Sequence, residues 1–110
     1  MGGSAGAYPA LRMIEQIIFR PAAEYELKKA YTWYESRVPG LGSEFMRAVD
    51  ACVHLIRRNP NIYPVVYADV RQGIVRRFPY SVLYLVGPDR IVVISVFHSS
   101  RDPKVWQRRV

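Results

Sequence analysis

The stretch YSVLYLVGPDRIVVISVF, residues 80–97, consists of two apolar runs joined by the turn residues Gly-Pro-Asp at 87–89. Both runs are rich in β-branched and aromatic residues, which favour strands, and a Gly-Pro-Asp connection is typical of a tight turn. The runs are apolar at nearly every position, as strands are when both faces are covered. We therefore predict an antiparallel hairpin of strands 80–86 and 90–97 in the middle of a sheet.

Two segments before this hairpin have the spacing of amphipathic helices. Pro21 suits the first turn of a helix over residues 22–37, and Ser43 can cap a second helix that follows VPGLGS at 38–43. Two helices with a short connection and matching apolar faces predict a helical hairpin that packs on the sheet. The apolar positions are Ala23, Leu27, Ala30, Tyr31 and Tyr34 in the first helix, and Phe45, Val49, Cys52, Val53 and Ile56 in the second.

Shorter apolar segments complete the predicted domain. IEQIIF at 14–19 and GIVRRF at 73–78 are expected to be strands, and the tyrosine-rich residues 59–72 have room for a short extra strand. A short helix is predicted to start near Asp102, with Pro103 at its first position. The order is β-α-α-β-β-β, which predicts an α+β fold with a helical hairpin packed on a mostly antiparallel sheet.

The chain has 110 residues, enough for one domain. We expect this domain to span residues 13–110 and a flexible leader to occupy residues 1–12. The sequence has no apolar run long enough to span a membrane and its start lacks the pattern of a signal peptide. The single cysteine, Cys52, suits a reducing compartment. These features predict a cytoplasmic protein that does not contact membranes.

Positive charge is concentrated in the second half of the chain. The sequence carries 16 Lys and Arg against 9 Asp and Glu, a net charge of +7. Residues 1–56 hold six basic and six acidic side chains, whereas residues 57–110 hold ten basic and three acidic ones. Nine of those ten are arginine, which suits bidentate contact with phosphate or carboxylate. The asymmetry predicts a polyanionic partner, either nucleic acid or an acidic protein segment.

The motifs of metal and nucleotide sites are not found in the sequence. His54 and His98 lie far apart, and there is no cysteine pair. No metal and no cofactor are therefore predicted. Cys52 lies on the apolar face of its helix, which predicts an inert core residue, and His54 is expected to be a solvated helix residue.

One cluster of polar residues remains at the predicted strand ends. VRRFPY supplies Arg76, Arg77 and Tyr80, and HSSRD supplies His98 and Arg101. The end of one antiparallel strand lies near the start of its neighbour, so these side chains can meet. Consecutive residues of a regular strand point to opposite faces, so at most one of the two adjacent arginines joins the site directly. The alternative is that all of them are solvated strand ends.

The side-chain types limit the chemistry of this cluster. Arginine can bind phosphate but cannot act as a base. His98 is the available acid–base group, because imidazole titrates near neutral pH, and Tyr80 is a possible acid. Asp102 could orient a partner or cap the last helix.

The phrases VRRFPYSVLYLV (75–86) and VISVFHSSRDPKVW (93–106), with the order of elements, resemble the RelE/ParE superfamily of type II toxin–antitoxin toxins. The resemblance covers about residues 14–107 and is greatest to the ParE-type, or plasmid stabilisation, branch. It implies a small basic toxin that forms a hetero-oligomer with an acidic antitoxin. The implied antitoxin-binding surface is the exposed apolar face of the helical hairpin, around Tyr31 and Tyr34.

The superfamily has two activities, and the resemblance implies different residues for each. RelE-like members cut mRNA in the ribosome. Here Arg101 matches their arginine after the last strand, whereas Ser81 and Trp106 replace an arginine and a tyrosine. Whether the chain is an enzyme stays open, and a ribonuclease would use His98, Arg101 and Tyr80 as catalytic residues.

ParE-like members instead poison DNA gyrase through surface complementarity, and this activity is the one we favour. The target- or phosphate-binding residues would then be Arg76, Arg77, Arg101 and Lys104. A third possibility is a basic binding domain without toxicity.

Overall fold

The computed structural model describes residues 16–110, and the leader predicted at 1–12 lies outside the described residues. The described part contains five strands and three helices, and it confirms the predicted α+β fold. In chain order these are β1 (Gln16–Phe19), α1 (Pro21–Arg37), α2 (Leu41–Arg58), β2 (Val65–Tyr67), β3 (Val70–Val75), β4 (Tyr80–Val86), β5 (Arg90–His98) and α3 (Lys104–Gln107).

The strands form one sheet in the order β1-β5-β4-β3-β2. β1 pairs with β5 in parallel, and the remaining neighbours are antiparallel. The predicted β4–β5 hairpin is confirmed and lies at the centre of the sheet. The extra strand expected in residues 59–72 is β2, which forms an exposed edge.

The two long helices cover one face of the sheet, and the main core lies between the helices and the sheet. Here Tyr34 is packed against the rings of Phe45, Phe78 and Tyr80 at centroid distances of 5.2, 5.0 and 6.2 Å. The opposite face is covered by a smaller cluster around Trp106 of α3. Among the described residues, no helix combines the length and hydropathy needed to cross a bilayer.

The cap of α2 differs from the prediction. The helix begins at Leu41, so Ser43 is already inside it and the prediction of a Ser43 cap is wrong. The carboxylate of Glu35, near the end of α1, accepts hydrogen bonds from the N–H groups of Gly40 and Gly42, both at 2.9 Å. The short connection lets an acidic side chain of one helix satisfy the free amides of the next.

The third predicted strand ends earlier than expected. β3 stops at Val75, and Arg76 and Arg77 belong to the turn before β4. Arg77 has a φ of 73°, in the left-handed region. The turn is closed by a bond from Tyr80 N–H to the Phe78 carbonyl at 2.8 Å. The prediction that the strand at 73–78 includes the two arginines is therefore wrong, and the alternation of strand faces does not apply to them.

A β-bulge interrupts β5. Leu83 pairs with Ser95 while the next residue of β4, Tyr84, pairs with Val93, so Ile94 is an extra residue. The bulge shifts the alternation of faces by one residue. Val93 and Val96 therefore both lie on the helix-covered side, although their separation of three residues would place them on opposite faces of a regular strand.

Candidate functional site

An open groove of about 830 Å³ runs between α1 and the ends of β4 and β5. Tyr80 and His98 lie directly opposite each other across the β4–β5 pair. Their rings meet edge to face at a centroid distance of 5.0 Å. The expectation that the start of β4 and the end of β5 bring these two residues together is confirmed.

The His98 imidazole is oriented by the residue two positions after it. Its Nδ1 accepts a hydrogen bond from the backbone N–H of Ser100 at 3.0 Å and lies 2.8 Å from the Ser100 hydroxyl. A backbone N–H can only donate, so in the neutral ring the proton is on Nε2. The ring therefore has one donor left for a ligand in the groove.

Tyr80 stays a phenol in this environment. Burial raises the pKa of Tyr80, the nearby Tyr34 raises it further, and Arg101 lowers it in part. A raised pKa keeps the hydroxyl protonated at neutral pH. Tyr80 can therefore donate a hydrogen bond to a bound group but is a poor base.

Glu26 of α1 lies beside the groove and was missed by the sequence analysis. Its side chain is 9% exposed and forms a double hydrogen bond with Arg109, at 3.1 and 3.0 Å. It also accepts bonds from the Ser95 hydroxyl at 2.8 Å and the Val96 N–H at 3.1 Å. The sequence held a signal: Glu26 falls on the helical face of Ala23 and Ala30, where a charge needs a partner.

This network covers the part of β5 that extends beyond β1. β1 reaches only as far as Val93 of β5. Past that point Glu26 accepts from Val96, and Arg109 donates to the carbonyl of Ile94 at 2.9 Å. Side chains from α1 and the C-terminus thus replace the missing strand neighbour for these backbone groups.

Arg101 extends over the groove from the turn that follows β5. Its guanidinium lies 5.2 Å from the centre of the Phe97 ring and 3.7 Å from the Glu26 carboxylate, and its side chain is 51% exposed. The turn is tied to the start of β4 by a bond from Ser99 N–H to the Pro79 carbonyl at 2.8 Å. Asp102 accepts from Lys104 N–H at 2.9 Å, so it caps α3.

The structure divides the predicted target-binding residues. Arg101 lines the groove with Tyr80 and His98. Lys104 is exposed at the start of α3 and is not part of the groove lining. Arg76 and Arg77 line a separate depression beside α2.

The prediction that Tyr31 and Tyr34 share one exposed surface is wrong. Tyr34 is 9% exposed and forms part of the groove floor, because its position on α1 faces the sheet. Tyr31 is 37% exposed and lies on the side of α1 that faces α2. Its ring is so close to Gly42 that a Cβ at that position would be 2.9 Å away. The prominent exposed aromatics of α1 are instead Tyr25 and Trp33, with exposures of 64% and 52%.

Cys52 and His54 behave as predicted. His54 is exposed on α2. Cys52 is buried, and burial raises the pKa of its thiol to about 11. A thiol that stays protonated at neutral pH is a poor nucleophile, so Cys52 is a core residue.

The fold is also found in a solved structure. It is similar to a chain of the structure described as "Chromosomal ParDE TA system from P. aeruginosa". The TM-score is 0.67 at 17% identity, and the match covers 77% of this chain and 96% of that one. A search of curated proteins found no match.

The family follows from a sequence match. Residues 17–103 match the family described as "ParE toxin of type II toxin-antitoxin system, parDE". The match spans most of the chain, from β1 to the turn before α3. The chain therefore belongs to the ParE toxin family.

Proposed function

We propose that this chain arrests cell growth by poisoning DNA gyrase and that an acidic antitoxin neutralises it. The observation that carries the proposal is the ParE family match over residues 17–103. Arg101 and Lys104, together with the separate pair Arg76 and Arg77, would contact acidic groups of the target. Poisoning of gyrase would require a complementary binding surface and no catalytic residues.

The positions of Ser81 and Trp106 support inhibition by binding over RNA cleavage. Ser81, where the RelE-like pattern has an arginine, is buried and accepts a hydrogen bond from Gln72 at 2.9 Å. Trp106, near the position of the RelE-like tyrosine, is 5% exposed and packs in the cluster of Val70 and Leu83. Both positions are used for packing on the sheet face opposite the groove.

The side of α1 that borders the groove offers a docking surface for an acidic antitoxin, and Tyr25, Lys29 and Trp33 line the groove itself. Tyr25, Lys29, Trp33 and Arg37 follow one another at intervals of four residues, so they form a single stripe. Lys29 lies 5.8 Å from the Tyr25 ring centre, and Arg37 lies 4.5 Å from that of Trp33. Alternating aromatic and cationic groups suit an acidic amphipathic segment that folds on binding. Tyr31, which is 37% exposed on the other side of the helix, is proposed as a separate antitoxin contact.

Ribosome-dependent mRNA cleavage is the second candidate. It is favoured by the groove itself, in which the Nε2–H of His98, the phenol of Tyr80 and the guanidinium of Arg101 converge. These groups could donate protons and bind a phosphate. Under this mechanism His98 would be a catalytic residue.

Induction of the chain in cells separates these possibilities. Poisoned gyrase should give DNA breaks and an SOS response before any mRNA cleavage within codons. Co-expression with the acidic protein encoded beside the toxin should restore growth. Normal growth at high levels of folded chain without an antitoxin would instead support the basic binding domain without toxicity.

Two variants test which groove residues carry the activity. His98→Gln keeps polarity but cannot titrate near neutral pH. Its toxicity should fall only modestly under gyrase poisoning, whereas a lost acid or base would cost about 10²- to 10⁴-fold in cleavage rate. Arg101→Ala should weaken target binding by roughly 1.5–3 kcal/mol, as for a charge-assisted hydrogen bond. Near-complete detoxification of folded His98→Gln would contradict the gyrase assignment.

A further inference from the structure

A second concave surface lies between the first turns of α2 and the β3–β4 turn. It is an open depression of about 920 Å³. Three arginines stand around it, Arg47 from α2 and Arg76 and Arg77 from the turn. Its apolar floor includes Leu41 and Phe78. We call this surface the arginine depression.

The charges of the arginine depression have few partners within the fold. Among residues 16–110, ion pairs within 4.0 Å are made by Lys28, Arg90, Arg101 and Arg109, and by none of these three arginines. The lining contains a single carboxylate, that of Glu44. The surface is therefore an exposed cluster of guanidinium groups that can each bind a carboxylate through two hydrogen bonds.

The backbone of Arg77 gives a second, independent observation. Its φ of 73° is one that residues with a Cβ adopt only at a cost, and glycine would adopt it more easily. Within the described residues the Arg77 side chain makes no hydrogen bond or ion pair that would stabilise this turn. A strained residue whose side chain does nothing for the fold indicates a role outside it.

We propose that the arginine depression binds an acidic protein segment in which carboxylates flank an apolar side chain. The guanidinium groups would contact the carboxylates, and the floor around Leu41 and Phe78 would receive the apolar side chain. This proposal rests on the proposed function in so far as Arg76 and Arg77 are among the target contacts named there, whereas the binding test below is independent of toxicity. Its lining shares no residue with that of the groove at His98.

An acidic peptide fits the floor better than a single-stranded nucleic acid does. Bases bind proteins by stacking on free aromatic faces. The Phe78 ring is half-buried and is held against Tyr34 and Phe45 at centroid distances of 5.0 and 5.3 Å. The Glu44 carboxylate would also repel phosphates that follow one another along a backbone.

Binding to the full-length protein, followed by fluorescence anisotropy, tests the proposal. The probes are a labelled peptide of Glu-Glu-Leu repeats, the same peptide with Ser in place of each Leu, and an oligothymidylate of equal charge. We expect the leucine peptide to bind most tightly. Arg47→Ala, Arg76→Ala and Arg77→Gly should each weaken its binding about tenfold, the loss of one charge-assisted contact. Amide NMR signals of residues 76–78 should shift on addition of the peptide.

Arg58→Ala is the matched control, because Arg58 is also exposed and lies at the other end of the same helix. Its affinity should stay within about twofold of the parent. Arg77→Gly should melt at the same temperature as the parent or higher, so that lost binding cannot be attributed to misfolding. Absence of peptide binding, equal losses in Arg58→Ala, equal binding of the serine peptide, or tighter binding of the oligothymidylate at residues 76–78 would each overturn the proposal.

Discussion

Two regions of this molecule present arginine, and they differ in what the guanidinium groups contact. Beside the groove, Arg109 is paired with the buried Glu26 and is 23% exposed. In the arginine depression, Arg76 and Arg77 extend from a turn and form no ion pair with another described residue. The net charge of +7 therefore combines positive charge that holds the fold together with positive charge that is available to partners.

Glu26→Ala should have the largest effect on stability. The substitution leaves the Arg109 guanidinium without its partner and the Val96 N–H without its acceptor. Breaking a buried pair in this way costs about 3–5 kcal/mol of unfolding free energy. Urea denaturation measures it. Glu24→Ala is the control, because Glu24 is 58% exposed in a pair at 4.0 Å and should contribute less than about 0.5 kcal/mol.

Arg109→Ala and Arg101→Ala compare a buried with an exposed partner of the same carboxylate. Arg109 donates to Glu26 and to the Ile94 carbonyl, so its loss should cost about 2–3 kcal/mol of unfolding free energy. Arg101 is half-exposed at 3.7 Å, so its loss should cost less than about 1 kcal/mol. Equal costs would contradict the division into structural and available charge.

Alkaline titration should destabilise the core without affecting the Glu26–Arg109 ion pair. The folded-state pKa of Cys52, about 11, lies above its ordinary value of 9.0. The stabilising contribution of the protonated thiol is therefore complete below pH 9 and is lost as pH rises towards 11. We expect a decrease of roughly 1–2 kcal/mol in unfolding free energy over this range. Tyr63, whose pKa burial raises to about 12, should extend the decrease to higher pH.

Denaturation at several pH values measures this decrease. Arginine keeps its charge throughout the range, so Arg109→Ala should show the same decrease as the parent. Cys52→Ala should show a smaller decrease between pH 9 and 11, whatever its absolute stability. A steeper decrease in Cys52→Ala would mean that another group is responsible.

Arg77→Gly should have the smallest effect, and its sign is the informative part. Glycine relieves the left-handed backbone but adds freedom to the unfolded chain, so stability should be unchanged or rise by up to about 1 kcal/mol. Thermal unfolding measures it. A clear loss of stability would show that the Arg77 side chain supports the turn. That result would contradict the assignment of its charge to partner binding.

The sequence predicted the architecture because its signals are local. Strand β4 begins and ends where the apolar run does, and α1 ends at Arg37 as expected. The pairing of Tyr80 with His98 followed from the geometry of a hairpin. These features depend on periodicity and turn residues, which neighbouring positions in the chain reveal.

Features that depend on distant partners were not predicted. The Glu26–Arg109 pair joins residues 83 positions apart, and no spacing rule connects them. The end of β3 was misplaced because the apolar pattern continues to Phe78, whereas the turn already begins after Val75. Tyr34 was assigned to an exposed surface because the sequence gives the face of a helix but not which face the sheet covers.

The bulge at Ile94 determines which face of the sheet each residue at the end of β5 occupies. Deletion of the Ile94 codon would remove the bulge and leave Val93 and Val96 two residues apart, so regular alternation would keep Val96 on the helix side and His98 in the groove. Among descendants of this gene, loss of this one codon should therefore be tolerated more readily than loss of a codon from β4, because a one-residue shift of β4 exchanges the inside and the outside of the site.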